Sequence, residues 1–400
     1  MEEEKKQINW GVIIAVIGVF FISSNLRAAI TSVGPVISEI SAQLNMNKFQ
    51  SGLVTTIPLL AFGFLSALAP KFASKIGIEK VLGFSMLVLT AGLLIRIQGN
   101  VPFLFLGAAL IGTAIAMGNV LMPAFIKDKF PKNLGLVTGI FTVSMNLIGA
   151  LAAGYSIRMG HLTGWGWKGS IGVWFILSLI AFAVWIPQLI NSRKSQKTEQ
   201  NIIAEQKRES FSSLLRSPLA WCITLFMGLQ SCLFYMLVAW LPIILQDWGM
   251  TKEQSGWTFS YVQLAQLPVT FIGPILAVKM KNQAPLVWLT AIALLLGTIG
   301  IVFFKTTYIV PSVLAIGFSG GLAFSLVMMF FVLRTKSSIR AAQLSGMAQS
   351  FGYLIAACSP PLFGLIYDLT LDWTYPLLLY FLLSFSLLGL GLIASRNKYV

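Results

Sequence analysis

Arg27 sits inside the apolar run Phe20-Phe21-Ile22-Ser23-Ser24-Asn25-Leu26-Arg27-Ala28-Ala29-Ile30, with no acidic residue near it. All 13 Asp and Glu residues fall outside the twelve long apolar stretches of the chain. A guanidinium at mid-depth in hydrocarbon costs roughly 2.5–3.5 kcal/mol on insertion scales, so such a residue belongs beside a cavity or a partner. With no internal acid available, the partner is expected to be an anion arriving from water. The planar fork of donors suits small planar oxyanions or pseudo-halide ions. The structural alternative is an arginine bonded to neighbouring helix-end carbonyls.

Amides, phenols and hydroxyls recur around it at helical spacing. Thr142 and Asn146 lie four apart on one face of the fifth stretch, and Gln349 and Tyr353 lie four apart in the eleventh. Gln230 and Tyr235 belong to the seventh stretch, Gln263 and Gln266 to the eighth, and Asn119 follows Gly118 in the fourth. With Arg27, these ten residues are the candidate lining of a substrate site. Hydrogen bonding between neighbouring helices is the alternative for the polar ladders, and a buried structural amide is the alternative for either of Gln263 and Gln266. Asn25 lies about 200° around the helix from Arg27 and reads as packing. Trp240, closing the seventh stretch, reads as an interface anchor or a cavity residue. Arg96, at the outer end of the third, can snorkel and reads as structural.

Other chemistry finds little support. The one histidine, His161, is expected in an outer loop beside Trp165 and Trp167, too far out for a relay. Cys222, Cys232 and Cys358 form no metal-binding spacing, and no metal or cofactor is expected. Gly107, Gly112 and Gly118, like Gly317, Gly320 and Gly321, follow no strand and precede no Lys-Ser/Thr pair, so they favour close helix packing over phosphate binding. An enzyme would need converging acids, histidines or metal ligands; Asp128, Asp247, Asp368 and Asp372 are dispersed, and no enzyme is expected.

The elements that must position these residues are transmembrane helices. The chain is 56% hydrophobic and 10% charged, against roughly 25% charged in a soluble protein. Apolar stretches fall near 10–37, 50–70, 80–98, 102–126, 134–158, 169–190, 218–245, 254–279, 285–304, 308–333, 341–367 and 373–394. About 20 residues span a bilayer as helix, and the short alternating segments of a β-barrel are absent from the sequence. The fold class expected is an all-α membrane protein of twelve helices. The net charge of +15 is not a nucleic-acid signature. If the N-terminus is cytoplasmic, 21 of 28 Lys and Arg residues fall on the inner side, the bias that orients membrane proteins. Both termini are therefore expected in the cytoplasm, and the basic excess faces anionic lipid. The first stretch is too long for a signal-peptide core and is expected to remain as a helix.

The polar segment 191–217 divides six stretches from six, giving an N-terminal bundle over 1–190, a cytoplasmic linker and a C-terminal bundle over 218–400. Phe211, Leu214 and Leu215 suggest a short interfacial helix within the linker. The halves repeat. Gly34-Pro35 is matched by Leu241-Pro242, each expected to end its helix, and Gln50-Ser51-Gly52 by Gln254-Ser255-Gly256. Pro70 is matched by Pro274, and Thr138-Gly139 by Ser345-Gly346. Two pseudo-symmetric six-helix bundles place a binding site between them near the bilayer midplane.

This organisation resembles the major facilitator superfamily along essentially the whole chain. Four strings resemble its cyanate and 2-nitroimidazole permease branch: Asn25 to Pro35; Gly118 to Pro123; Gly228-Leu229-Gln230-Ser231 with Tyr235 and Trp240-Leu241-Pro242; and Leu344 to Gln349 with Gly352-Tyr353. Departures accompany the resemblance. Where the superfamily's loop between helices 2 and 3 carries an aspartate, this chain has Ser74, so the charge pair of that aspartate is absent or rebuilt. The arginine that many proton-coupled members carry early in helix 4 falls at about Ala108. The Gly-Pro motif of drug/proton antiporters is missing from the fifth stretch.

The resemblance implies a secondary or facilitative transporter in the plasma membrane, working by alternating access and expected as a monomer. A single guanidinium balances a monovalent anion, cyanate-like or a small carboxylate. The alternative is export of a neutral planar heteroaromatic of the 2-nitroimidazole type, stacked on Tyr235, Tyr353 and the Phe-rich helices with a nitro group bonded to Arg27. Because no Asp, Glu or His lies within the stretches, movement is expected to be facilitated, by exchange, or by symport with the proton carried on the substrate. A channel is the rival that saturable counterflow would exclude.

Overall fold

The computed structural model describes residues 10–46, 48–192 and 211–400, and all their regular structure is helical. The long helices are α1 (Trp10–Thr31), α2 (Lys48–Leu65), α3 (Ile78–Arg96), α4 (Val101–Lys129), α5 (Leu134–Thr163) and α6 (Trp174–Ser192), then α7 (Pro218–Asp247), α8 (Lys252–Lys279), α9 (Ala284–Phe304), α10 (Ile309–Leu333), α11 (Ser338–Thr370) and α12 (Thr374–Ala394). Eleven of the described spans are long and apolar enough to cross a membrane on their own. The twelfth combines α2 with the short helix Ala69–Ile76, bent by 56° across Ser66–Leu68.

Polar caps start several helices where the apolar runs begin. Asn100 Oδ1 accepts from the backbone N–H of Phe103 at 2.9 Å ahead of α4, and Ser337 Oγ accepts from that of Arg340 at 3.1 Å ahead of α11. Thr251 and Gln254 form a reciprocal capping box at the start of α8. Gly164, at φ +68°, ends α5. That stop lies beyond the apolar stretch, so His161 occupies the last turn of α5 rather than a loop. A helix continues until its backbone hydrogen bonds are interrupted, whereas hydropathy marks only the hydrocarbon. Asp128, Asp247 and Asp368 accordingly lie in terminal turns of α4, α7 and α11.

Two matched prolines behave differently from the expectation. Gly34-Pro35 follows the end of α1, but Pro242 lies inside α7. Pro70 falls just past the bend of α2, whereas Pro274 lies inside unbroken α8. A transmembrane proline is tolerated where neighbours satisfy the freed carbonyl, so its position alone does not end a helix.

The packing repeats at an offset of six helices. In the first half α1 packs on α5 and α6, α3 on α4 and α6, and α2 on α4. In the second, α7 packs on α11 and α12, α9 on α10 and α12, and α8 on α10. Two seams, α5 with α8 and α2 with α11, join the halves. The perimeter exposes Phe84, Leu296, Phe303 and Leu382, the apolar face that lipid covers. Residues 193–210 of the expected linker lie outside the described residues; beyond them Phe211–Leu215 is helical, with Leu214 buried and Leu215 exposed.

Both described chain ends lie at one end of the bundle, with Lys71, Lys75, Lys132, Lys281 and Arg396, here called the basic end. The seams close there. Gly135 and Gly139 of α5 approach the backbone of α8, and Gly346 of α11 approaches Ser66. Lys127 Nζ of α4 donates to the carbonyls of Val332, at 2.8 Å, and Thr335 at the end of α10. Ser74 donates within its own turn to the carbonyl of Lys71 at 2.8 Å, so the polar bridge across this end is made by Lys127 instead.

Candidate functional site

The site begins with missing side-chain volume. Where α1 crosses α5, a Cβ on Gly149 would stand 2.9 Å from Arg27 Cγ and 3.0 Å from Cδ. The absence of that atom lets the aliphatic stem of Arg27 lie against α5. Thr31 Oγ1 donates to the carbonyl of Gly149 at 2.7 Å, and Ser156 Oγ to that of Ser32 at 2.6 Å. These bonds hold the helices in register and carry the guanidinium toward the seam.

There Arg27 Nη1 donates to Asn146 Oδ1. Two aromatic rings reach it from the opposite half. The ring of Phe234, on α7, lies 4.9 Å from the guanidinium carbon and that of Phe324, on α10, 5.6 Å. Tyr235 and Tyr353 are within electrostatic reach. Each ring face attracts the cation by about 0.5–2 kcal/mol, yet none carries a countercharge. The described ion pairs are at the basic end, Lys129 with Glu79 and Asp128. Arg27 therefore meets no acidic countercharge among the described residues, is half-buried, and is not capped there by helix-end carbonyls.

Of the ten candidates, Arg27, Asn146, Tyr235 and Tyr353 converge. Tyr353 is steadied by Phe62, with ring centroids 5.1 Å apart. Gln230 and Gln266 line a small cavity inside the second half together with Ser319 and Tyr380, and Phe234 forms its wall. Gln263 is half-buried on the same helix as Gln266 but outside that lining. Thr142 is taken up by the seam, donating to the carbonyl of Thr270 at 2.5 Å. Gln349 Nε2 donates to Ser345 Oγ at 2.8 Å. Asn119 lies one residue after Gly118, where α4 meets the side chain of Leu26 on α1.

Four candidates hold a buried polar atom without a protein partner: Asn119 Oδ1, Asn146 Nδ2, Gln230 Oε1 and Gln349 Oε1. Such atoms are uncommon in folded proteins, and these fall in helices that surround the junction of the halves. They can bind a polar solute or water there.

Three participants went unread in the sequence: Phe234, Phe324 and Gly149. Phe234 had a signal, because it stands 207 residues after Arg27, the same interval that relates Gly139 to Gly346.

Arg96 is structural, as expected, but is held inside rather than reaching water: it is 3% exposed, and donates to the carbonyls of Ala29 at 2.6 Å and Ile171 at 2.8 Å. Trp240 is half-exposed; its Nε1 donates to the Pro360 carbonyl at 2.9 Å and its ring packs on Trp373. Gly320 meets nothing within 4 Å and lines the second-half cavity, while Gly107, Gly112, Gly118, Gly317 and Gly321 make close helix contacts. Asn25, as expected, packs, its Nδ2 donating to the carbonyls of Phe21 at 2.8 Å and Leu177 at 3.3 Å.

Residues 15–360 match the sequence profile of the Major Facilitator Superfamily. Over 384 residues the chain is 41% identical to the "Uncharacterized transporter YycB" of Bacillus subtilis (strain 168), covering 96% of this chain and 94% of that one. It is 34% identical over 388 residues to the "2-nitroimidazole transporter" of Escherichia coli (strain K12), covering 97% of each. Among solved structures, the proton:xylose symporter XylE bound to 6-bromo-6-deoxy-D-glucose matches with a TM-score of 0.80 over 97% of each chain. The sequence identity there is 11%, so the likeness is one of fold.

Proposed function

The chain belongs to the major facilitator superfamily, and from that premise we propose that it carries a small monovalent anion, cyanate-like or a small carboxylate, on Arg27. It is a multi-pass membrane protein and a secondary transporter of small molecules rather than an enzyme. The observation that carries the reading is the uncompensated guanidinium at the junction of the halves, with a neutral amide as its hydrogen-bond partner. One negative charge neutralises it; two would leave a charge in hydrocarbon. Asn146 orients the donor fork, and Phe234 and Phe324 flank it from the other half. Tyr235, Tyr353, Asn119, Gln349 and Gln230 supply polar contacts as the halves rock, with Thr142, Gln263 and Gln266 farther along the path. The halves at 1–190 and 218–400 move as units, each chain acting as a monomer. The basic end faces the cytoplasm, as its lysines and arginines require.

The flanking rings favour a second cargo, a neutral planar nitroheteroaromatic whose nitro oxygens accept from Arg27 while its ring stacks. The similarity to a 2-nitroimidazole transporter supports this reading and the resemblance to the cyanate and 2-nitroimidazole branch.

Counterflow in proteoliposomes separates the two. Arg27→Gln is expected to abolish saturable exchange of labelled cyanate or small carboxylates. If exchange of a nitroimidazole survives that substitution while wild type moves no anion, the anion reading falls. Saturable counterflow by wild type also excludes a channel.

A further inference from the structure

The short helix Ala69–Ile76, set at 56° to α2, turns two different stripes outward. Its inner side is fixed by packing. Ala69 is buried, Ala73 lies against the core, and Pro70 Cγ is 3.2 Å from where a Cβ on Gly346 of α11 would stand. On the outer side Phe72 and Ile76, one turn apart, are 48% and 45% exposed. Lys71 and Lys75, the adjacent pair one turn apart, are exposed beside them. The described acids at this end of the first half, Glu79 and Asp128, are engaged by Lys129 at 3.1 and 3.4 Å. Neither Lys71 nor Lys75 forms an ion pair among the described residues.

Depth and continuity select the occupant. The 18 residues of α2 rise about 27 Å, close to the ~30 Å of a hydrocarbon core. The bend therefore falls where acyl chains give way to headgroups, and the short helix turns toward the plane of the bilayer. Its apolar stripe continues one that begins on α2. Leu60 and Phe64 are exposed, Leu68 is half-exposed, and Phe72 and Ile76 carry the same interval of four past the bend. A surface continuous with the outward side of a transmembrane helix is covered by lipid. Lysines bordering such a stripe place ammonium groups at the level of the phosphates, where anionic lipid attracts them. We propose that the short helix is a binding surface for anionic phospholipid, with acyl chain against Phe72 and Ile76 and headgroup phosphate on Lys71 and Lys75. The general basic excess of this end orients the chain without selecting a lipid at any one place; this surface selects one, whatever Arg27 carries.

Full-length protein, with Cys222, Cys232 and Cys358 replaced by alanine and an environment-sensitive fluorophore on Ile76→Cys, tests this. It is reconstituted in phosphatidylcholine vesicles holding a minor fraction of brominated phosphatidylglycerol or brominated phosphatidylcholine. Both quenchers are expected to reach the label, with the phosphatidylglycerol associating about fivefold more tightly for each lysine engaged. Lys71→Gln combined with Lys75→Gln should bring the two lipids to parity. Lys281→Gln, at the same end but in the other half, should leave the preference in place. Equal quenching by the two lipids before any lysine is changed overturns the proposal, as does a preference that survives the double substitution or that Lys281→Gln removes as fully. A label that neither lipid quenches also overturns it, since water or a protein partner would then cover the helix.

Discussion

Gly139 and Gly346 stand at equivalent points of the two seams between the halves. A Cβ on Gly139 would lie 2.7 Å from the backbone oxygen of Phe271 in α8, and one on Gly346 would lie 2.8 Å from that of Ser66 at the bend of α2. In both, bare backbone meets bare backbone at the basic end. A side chain at either point has no flexible neighbour to displace, so the helices themselves must part.

Gly346→Val and Gly139→Val should each hold the basic end open. Overpacking of this kind costs roughly 1–3 kcal/mol, enough to shift a two-state equilibrium by about 5- to 150-fold. Spin labels on Lys71→Cys and Lys281→Cys, one in each half, are expected to move apart in these variants. An unchanged distance distribution would mean that the seams do not set the conformational balance.

Lys127→Met should act in the same direction. Its ammonium caps the carbonyl end of α10, where a positive charge is favoured by the helix dipole. Hydrogen bonds to a charged group contribute about 1.5–3 kcal/mol. The labelled distance is expected to lengthen in Lys127→Met and to be largely restored in Lys127→Arg.

Asn146→Asp places a carboxylate where the amide oxygen now accepts from Arg27. The guanidinium then has a permanent internal partner. Thermal stability should rise while anion exchange falls by at least about tenfold, the equivalent of 1.4 kcal/mol of binding. Stability and transport moving down together would contradict the assignment of Arg27 as an anion receptor.

Gly149→Ala introduces the Cβ that the stem of Arg27 excludes. The stem is flexible, so folding should survive with the guanidinium displaced from Asn146. The expected signature is an apparent KM for the anion raised about tenfold, with protein yield and melting temperature close to wild type.

Uptake at fixed membrane potential should not respond to a pH gradient when the cargo is a permanently charged anion. No aspartate, glutamate or histidine lies in the middle of the described spans to carry the proton. Steep uphill accumulation driven by the gradient alone would overturn this expectation.

Much of the architecture was legible because bilayers impose a length and a polarity on every span. Arg27 stood out for the same reason: charge is scarce there. The match of Thr138-Gly139 with Ser345-Gly346 was legible as repetition, and the structure gives it a purpose at the seams. The aromatic partners were not legible, since any two of 29 phenylalanines look alike until the halves are docked. Arg96 read as structural, but its place at a helix end suggested a head group reaching water rather than one held inside. The carbonyls that hold it belong to residues 67 and 75 positions away, on other helices. Contacts of that range are set by tertiary packing, which local spacing does not report.

The bend at Ser66–Leu68 has no counterpart in α8, which runs unbroken past the matching proline. The molecule is thus jointed along one edge and rod-like along the other. Under the same load a joint folds and a rod stays straight, so the basic end should part like a door, pivoting where the rod holds and swinging where the joint gives.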